Sequence, residues 1–419
     1  MNIIHKIKKH GVQGSIKIVF KKTKEQINNL FFDMGKVLPI KDNSIVFESE
    51  GDLSDNSYAL YDYMLKNNYL DKYQVIWLVD DVAKAKKRNL SNVNFISKNI
   101  EQVNFKRNIL LSSCKWCFFD HNNPFQGKKK REKQKVIFLD HGPAPFKVEK
   151  KEVAKLHLSK YYDYQINASA MCKKAYTEHS ELFGMWGAPA KKILLLGECR
   201  DDYFYQDLTF VKEKINKRFK LNRFNKVFLW MPTFRQSFHG FLSENYLKDE
   251  TKLPMIHTYS EFNKFNNFLK KRNIAIILKV HHLQLRLPVF QKKYSNILFL
   301  SDSDLLSMNI QLSQFIPISD ALITDYSSVM ADYILLDKPM VFTLDDYENY
   351  KNSRGLYPDN ILDYLPGNHV FNIDELEKSM DEINKGEDRF KEERHKVLPC
   401  FQKYQDGNTC KRVVDYFHL

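Results

Sequence analysis

Ala321-Leu322-Ile323-Thr324-Asp325-Tyr326-Ser327-Ser328-Val329-Met330-Ala331-Asp332-Tyr333 is the stretch whose reading decides the fold. An apolar run ends at Thr324 and reads as a buried strand. Asp325 follows, where a carboxylate can cap a helix. Val329, Met330, Tyr333 and Leu336 then recur at helical spacing, and Pro339 stops the helix. A strand that passes through a tight turn into a helix is the repeating unit of a parallel α/β sheet. Ser327 and Ser328 fall at the helix start, where open backbone N–H groups attract phosphate. They serve equally well as ordinary caps.

The same alternation extends in both directions. Strands are expected at Ser44–Phe47, Gln74–Val79, Trp116–Phe119, Lys135–Leu139, Ile193–Leu196, Lys226–Met231, Ala275–Val280, Ile297–Phe299, Ala321–Thr324 and Met340–Phe342. Helix-length patterns such as Ser57–Lys66 and Ser260–Lys271 separate them. So many strands exceed one compact sheet of usual size. The expectation is an α/β protein of two doubly wound parallel-sheet domains facing a cleft, with ligands beyond the carboxyl ends of the strands. The polar stretch Arg200–Asn225 marks the boundary. This gives a basic amphipathic segment over 1–40, an N-terminal domain over 41–210, a C-terminal domain over 211–385 and a helical tail over 386–419.

Composition bounds the function. The chain has 419 residues, 43% hydrophobic and 28% charged, with 31 Phe and 22 Tyr against 14 Gly and 13 Pro, so most of it can fill a core. The net charge of +14 favours polyanionic partners: nucleic acid, acidic lipid, or phosphate-bearing substrates. Nucleic acid is disfavoured because the aromatics lie inside apolar patterns rather than interleaved with basic residues. The run Lys128-Lys129-Lys130-Arg131-Glu132-Lys133-Gln134-Lys135 reads as a solvated loop or a grip on an anionic polymer. Cys114 and Cys117 form a lone CxxC without a second pair, and as strand residues they point to opposite faces, as buried thiols do. Met1–Phe32 lacks the apolar core of a secretory signal, and no run approaches a membrane span. Its isoleucines and lysines suit either a helix lying on an anionic bilayer or a frayed terminus.

Two histidines follow strands directly. In Val136-Ile137-Phe138-Leu139-Asp140-His141-Gly142-Pro143-Ala144-Pro145-Phe146-Lys147, His141 opens a rigid turn, Asp140 is placed to orient it, and its pKa suits general-base work. A histidine satisfied within the turn is the plain alternative. In Ile276-Ile277-Leu278-Lys279-Val280-His281-His282 the pattern recurs in the second half. Adjacent strand-end histidines diverge, which argues against a metal pair. Asp302-Ser303-Asp304 has the DxD form of metal-using sugar transferases but lies in an irregular stretch.

Together these segments resemble the CDP-glycerol glycerophosphotransferases of teichoic-acid and capsule synthesis, with the related ribitol-phosphate transferases. The resemblance runs from about Ser44 to the C-terminus. It rests on Gly51-Asp52-Leu53-Ser54-Asp55-Asn56-Ser57, on Asp140 to Lys147, on Gly197-Glu198-Cys199-Arg200-Asp201-Asp202 and on Trp230-Met231-Pro232-Thr233-Phe234-Arg235. Lys279-Val280-His281, Ile323 to Ser328 with Lys338-Pro339, Arg354-Gly355-Leu356-Tyr357 and Asp406-Gly407 complete the order. The chain departs from the family at four points. The His-Gly motif has an extra residue before its lysine, Asp140 replaces an aromatic, and Cys199 and His282 replace prolines.

The resemblance implies a GT-B fold and a peripheral enzyme on the cytoplasmic face of the membrane, meeting an anionic surface. Its donor would be a CDP-polyol and its acceptor a lipid-linked polyol-phosphate polymer; no cofactor, metal or nucleic acid is implied. His141 and His281 would be the essential histidines, His141 taking the acceptor's proton. Arg235, Thr324, Asp325, Ser327, Ser328 and Arg354 would meet the donor diphosphate, and Asn56, Lys147, Arg200 and Asp202 would lie on the acceptor side. A nucleotide-sugar glycosyltransferase of the same fold is the competing enzyme. Glycerol against ribitol, and primase against polymerase, stay open.

Overall fold

The structure is a computed structural model that describes residues 3–149, 156–233, 249–280 and 284–419, with side chains from residue 19 onward. Two compact units make up the chain. The first comprises Met1–His141, Leu158–Ile166 and Cys410–Leu419, and the second comprises Gly142–His157 and Asn167–Thr409.

Thirteen strands are present among the described residues: β1 (Lys41–Glu48), β2 (Gln74–Val79), β3 (Val93–Ser97), β4 (Cys114–Phe119), β5 (Lys135–Phe138), β6 (Tyr164–Asn167), β7 (Ile193–Leu195), β8 (Lys226–Trp230), β9 (Ile274–Leu278), β10 (Ile297–Phe299), β11 (Ala321–Thr324), β12 (Met340–Thr343) and β13 (Asn368–Val370). They form a seven-stranded sheet in the order β3-β2-β1-β4-β5-β6-β7 and a six-stranded sheet in the order β10-β9-β8-β11-β12-β13. Strand pairs within both sheets are parallel. Each sheet reverses its winding once, between β1 and β4 in the first and between β8 and β11 in the second. Such reversals leave a crevice at the carboxyl ends of the two central strands, where ligands of doubly wound folds bind.

All ten expected strands are present. β3, β6 and β13 add to them. β3 and β13 are edge strands and β6 is a short one, so none carries the long apolar run that marks a central parallel strand.

Strand sequence explains the packing. In the second unit, Val227 and Leu229 enter one core cluster while Phe228 and Trp230 enter the other. The strand's two-residue period thus feeds both faces of a covered sheet. In the first unit Phe47 stands level with Trp77 on β2 and Phe118 on β4, at ring-centroid distances of 5.3 and 5.8 Å. This aromatic row crosses the sheet just behind the β1 carboxyl end.

The helix Ile3–Gly35 ends by docking on the first unit. Asn28 is buried there. Its amide donates to the Ile100 and Gln102 carbonyls and its oxygen accepts from the Asn104 N–H and the Asn108 side chain. The second half of the 1–40 segment is therefore part of a domain. The tail over 386–419 likewise does not stand apart: Lys391–Phe401 belongs to the second unit, while Cys410–Leu419 belongs to the first and seats Phe417 against Trp116, Phe118 and Tyr164.

Candidate functional site

In the first unit the chemistry gathers where β1, β4 and β5 end. Asp120 follows β4 and is fully buried. One of its carboxylate oxygens accepts the Glu50 N–H and the other the Ser57 N–H, each at 2.8 Å. Burial, with Asp55 and Glu48 nearby, holds its pKa well above the usual carboxylate range. Glu48 ends β1, and burial pushes it up to about 7 despite Lys98, whose ammonium lies 3.6 Å away. Lys98 also donates to the Ser49 and Gly51 carbonyls, fixing the loop that leads to Asn56.

Asn56 is buried at the start of the helix Asp55–Lys66. Its amide donates to the carbonyls of Leu139 and Asp140, the two residues before His141. Asp140 adopts a left-handed backbone with φ 58°. Its carboxylate accepts the His141 backbone N–H at 2.8 Å and the Gln165 amide at 2.8 Å. Asp140 therefore orients His141 through the main chain. The imidazole itself is held by Asp120: Nδ1 lies 3.1 Å from the Asp120 carbonyl. A carbonyl only accepts, so Nδ1 carries a proton; in the neutral ring that places the lone pair on Nε2, the form a general base needs. His121 stands edge-on to His141 at 6.0 Å between ring centroids. Its ring reaches the surface, yet enough protein surrounds it for desolvation to lower its pKa against the opposing pull of Glu50.

In the second unit the corresponding ends are those of β8 and β11. Thr324 and Asp325 are buried and clamp the chain leaving β8. The Thr324 hydroxyl donates to the Met231 carbonyl at 2.8 Å, and the Asp325 carboxylate accepts the Thr233 N–H at 2.9 Å and its hydroxyl at 2.6 Å. The cap expected from Asp325 is thus spent across the sheet: Ser328 is the N-cap of the helix Val329–Tyr333, with no side-chain cap bond. That helix has five residues, so open N–H groups rather than a long dipole are what it offers an anion. Ser327 and Ser328 are half-buried. Gly142 lies against Ser328 so closely that a Cβ at residue 142 would sit 2.7 Å from the Ser328 hydroxyl oxygen.

The segment after Gly142 then runs antiparallel to the Arg354 motif. Lys147 bridges Leu356, the Tyr357 N–H donates to Phe146 and the Val148 N–H to Gly355. Gly355 holds φ 83° with Val148 packed over it, a conformation that favours glycine. Burial pushes the neighbouring Glu149 up to about 7, opposed by the Met185 and Trp186 N–H groups and by Arg354. Three motif segments separated in sequence therefore meet in this unit, bringing Ser327–Ser328, Gly142 with Lys147, and Arg354 into one region.

Arg200 and Asp202 also lie in the second unit, where both bind the framework. Arg200 pairs with Asp332 at 3.1 Å, and Asp202 accepts the Thr409 N–H at 2.8 Å. Lys338 donates to the Pro317 and Ser319 carbonyls. Asp302 pairs with Lys279, and Asp304 closes a capping box with Ser301 and pairs with Arg218. The DxD thus starts a helix. Cys114 and Cys117 are buried, and burial pushes the Cys114 thiol up to about 12. Arg235, His281 and His282 lie outside the described residues.

Asp120, His121, Glu48 and Lys98 were not singled out from sequence. A signal for the first two was present: Phe118-Phe119-Asp120-His121 repeats the strand–Asp–His form of Phe138-Leu139-Asp140-His141 on the adjacent strand.

Two parallel-sheet α/β domains with polar groups gathered at the strand ends define a GT-B-like fold. The chain belongs to the CDP-glycerol:poly(glycerophosphate) glycerophosphotransferase family, whose profile matches residues 30–419. It is similar to the teichoic acid ribitol-phosphate polymerase TarL of Staphylococcus aureus, at 25% identity over 94% of this chain and 65% of the relative. It is also similar to a teichoic acid poly(glycerol phosphate) polymerase of Staphylococcus epidermidis, at 25% identity over 96% of this chain and 54% of the relative. The chain thus spans between about half and two thirds of these curated relatives. Among solved structures it resembles the wall teichoic acid polymerase TagF, with a TM-score of 0.72 at 22% identity, covering 100% of this chain and 97% of that one. That likeness bears on the fold.

Proposed function

We propose that this protein transfers a polyol phosphate, glycerol phosphate first in line, from a CDP-activated donor to a hydroxyl of a lipid-linked teichoic-acid or capsule polymer. The observation that carries the proposal is the His141 ring, held at a strand end with Nδ1 on the Asp120 carbonyl, which leaves Nε2 as the base nitrogen of the neutral ring. In this reaction the acceptor oxygen attacks the β-phosphorus in line. The bond to the bridging oxygen breaks, CMP leaves with that oxygen, and His141 Nε2 takes the acceptor's proton. A positioned base of this kind is worth about 10²–10⁴ in rate.

Ser327, Ser328 and Arg354 bind the donor diphosphate, and Lys147, which runs beside the Arg354 motif, is assigned here to the donor as well. Thr324 and Asp325 serve by holding the chain that leads to Arg235. Arg235 and His281 are retained as charge-stabilising groups on their motifs alone. The net charge of +14 suits an acceptor with a phosphate on each unit. No helix among the described residues is long and apolar enough to cross a membrane, and the lysine-rich N-terminal helix supports a peripheral place on the cytoplasmic face.

CDP-ribitol is the alternative donor, favoured by the ribitol-phosphate polymerases among the relatives. Incubation with CDP-glycerol and CDP-ribitol in turn, followed by mass analysis of the lipid-linked product, decides between them. Addition of glycerol phosphate units is expected. Addition of ribitol phosphate alone transfers the proposal to the second donor, and sugar transfer from a nucleotide sugar with no CMP release from either donor overturns it.

A further inference from the structure

The hydrogen bonds around His141 close into a ring within the first unit. Asp120 follows one strand and holds the imidazole by its carbonyl. Its carboxylate holds Ser57 by the backbone. Ser57 adjoins Asn56, whose amide holds Leu139 and Asp140, and these lead back to His141. The Ser57 hydroxyl fastens the same point to the Glu48 carbonyl at 2.6 Å. Asp120, Asn56 and Ser57 are all buried, so water does not replace a lost partner. The two Asp120 oxygens each accept a backbone N–H. Both oxygens of a carboxyl group can do this, whereas an asparagine would turn an NH₂ towards one of the two donors.

We propose that Asp120 is a positioning residue for His141: its carboxylate locks the ring of hydrogen bonds that presents the imidazole with Nδ1 protonated and Nε2 as the base. The proposal rests on His141 being the base in the function above, but its structural half stands separately. It concerns which nitrogen of His141 carries the proton, a property of the resting protein that exists without turnover.

The test uses the full chain labelled with ¹⁵N-histidine. The His141 imidazole signals are assigned by their loss in His141→Ala. In the unmodified protein the nitrogen shifts of a single Nδ1–H tautomer are expected. In Asp120→Asn they should move to values averaged over both tautomers, while kcat falls about 10- to 100-fold and the donor KM stays within about twofold, as expected for a misplaced base. Asn56→Ala removes the opposite side of the ring while leaving the Asp120 bonds in place, and should produce the same tautomer change should Asp120→Asn fail to fold. A retained Nδ1–H tautomer in whichever of the two variants folds, with kcat within about twofold of the parent, overturns the proposal. Normal turnover in His141→Ala would instead remove the functional reading, and the nitrogen shifts would still decide the role of Asp120.

Discussion

Glu48 shows how the strand ends of the first unit trade stability for a polar interior. Its carboxyl is pushed up to about 7 by burial, from 4.5 for an unperturbed glutamate. The folded chain therefore holds a proton that the unfolded chain releases between those values. The stability this contributes is complete below about pH 4.5 and is lost as pH rises through about 7. Glu48→Gln has no proton to lose. Whatever the variant sacrifices by losing the Lys98 pair, it should gain on the parent between about pH 5 and pH 8, by up to about 3 kcal/mol. Thermal unfolding of both proteins at the two pH values checks this; a gap in Tm that does not move towards the variant contradicts it. The residue level is also where sequence was least complete. His141 stood out because a glycine and two prolines follow it. Asp120 did not: its Asp–His form repeats that of Asp140–His141, but its contribution is a carbonyl and two N–H bonds accepted from Glu50 and Ser57, partners distant in sequence.

Elements were more legible where they were long. Strands such as Ile274–Leu278 carry a run of apolar residues buried on both faces and announce themselves. Asn368–Val370 has three residues, two of them polar, and is a strand only because β12 pairs with it. The segment 1–40 was read as basic and amphipathic, yet along the helix Ile3–Gly35 apolar and basic residues do not separate onto two faces, and its structure divides it. Asn28 anchors the second half, whereas Val19 and Phe20 are 51% and 63% exposed beside Lys21, Lys22 and Lys24. Apolar and cationic groups exposed together suit an anionic bilayer, each lysine near its surface contributing about 1 kcal/mol. Removing residues 1–22 while keeping Asn28 should leave the domain folded and weaken sedimentation with anionic vesicles. Unchanged sedimentation would contradict a membrane role for the helix.

For the whole molecule, two parallel-sheet domains followed from the alternation of strands and helices, but their limits did not. The stretch Gly142–His157 belongs to the second unit because it pairs with Gly355, Leu356 and Tyr357, and the last ten residues belong to the first because Phe417 finds an aromatic seat there. Both depend on partners distant in sequence. The described Asp140–His141 and Thr324–Ser328 motifs lie at the strand ends of the first and second units, and the proposed chemistry divides between them: a base fixed in the first unit, phosphate-binding groups in the second. The measurement that tests this most directly is CMP release from CDP-glycerol with a lipid-linked acceptor, compared between the parent protein and His141→Ala. Acceptor-dependent CMP release by the parent, and a loss of at least about a hundredfold in the variant with its fold intact, is the predicted result. Near-normal turnover by His141→Ala, or no CMP from the parent with either polyol donor, would contradict it.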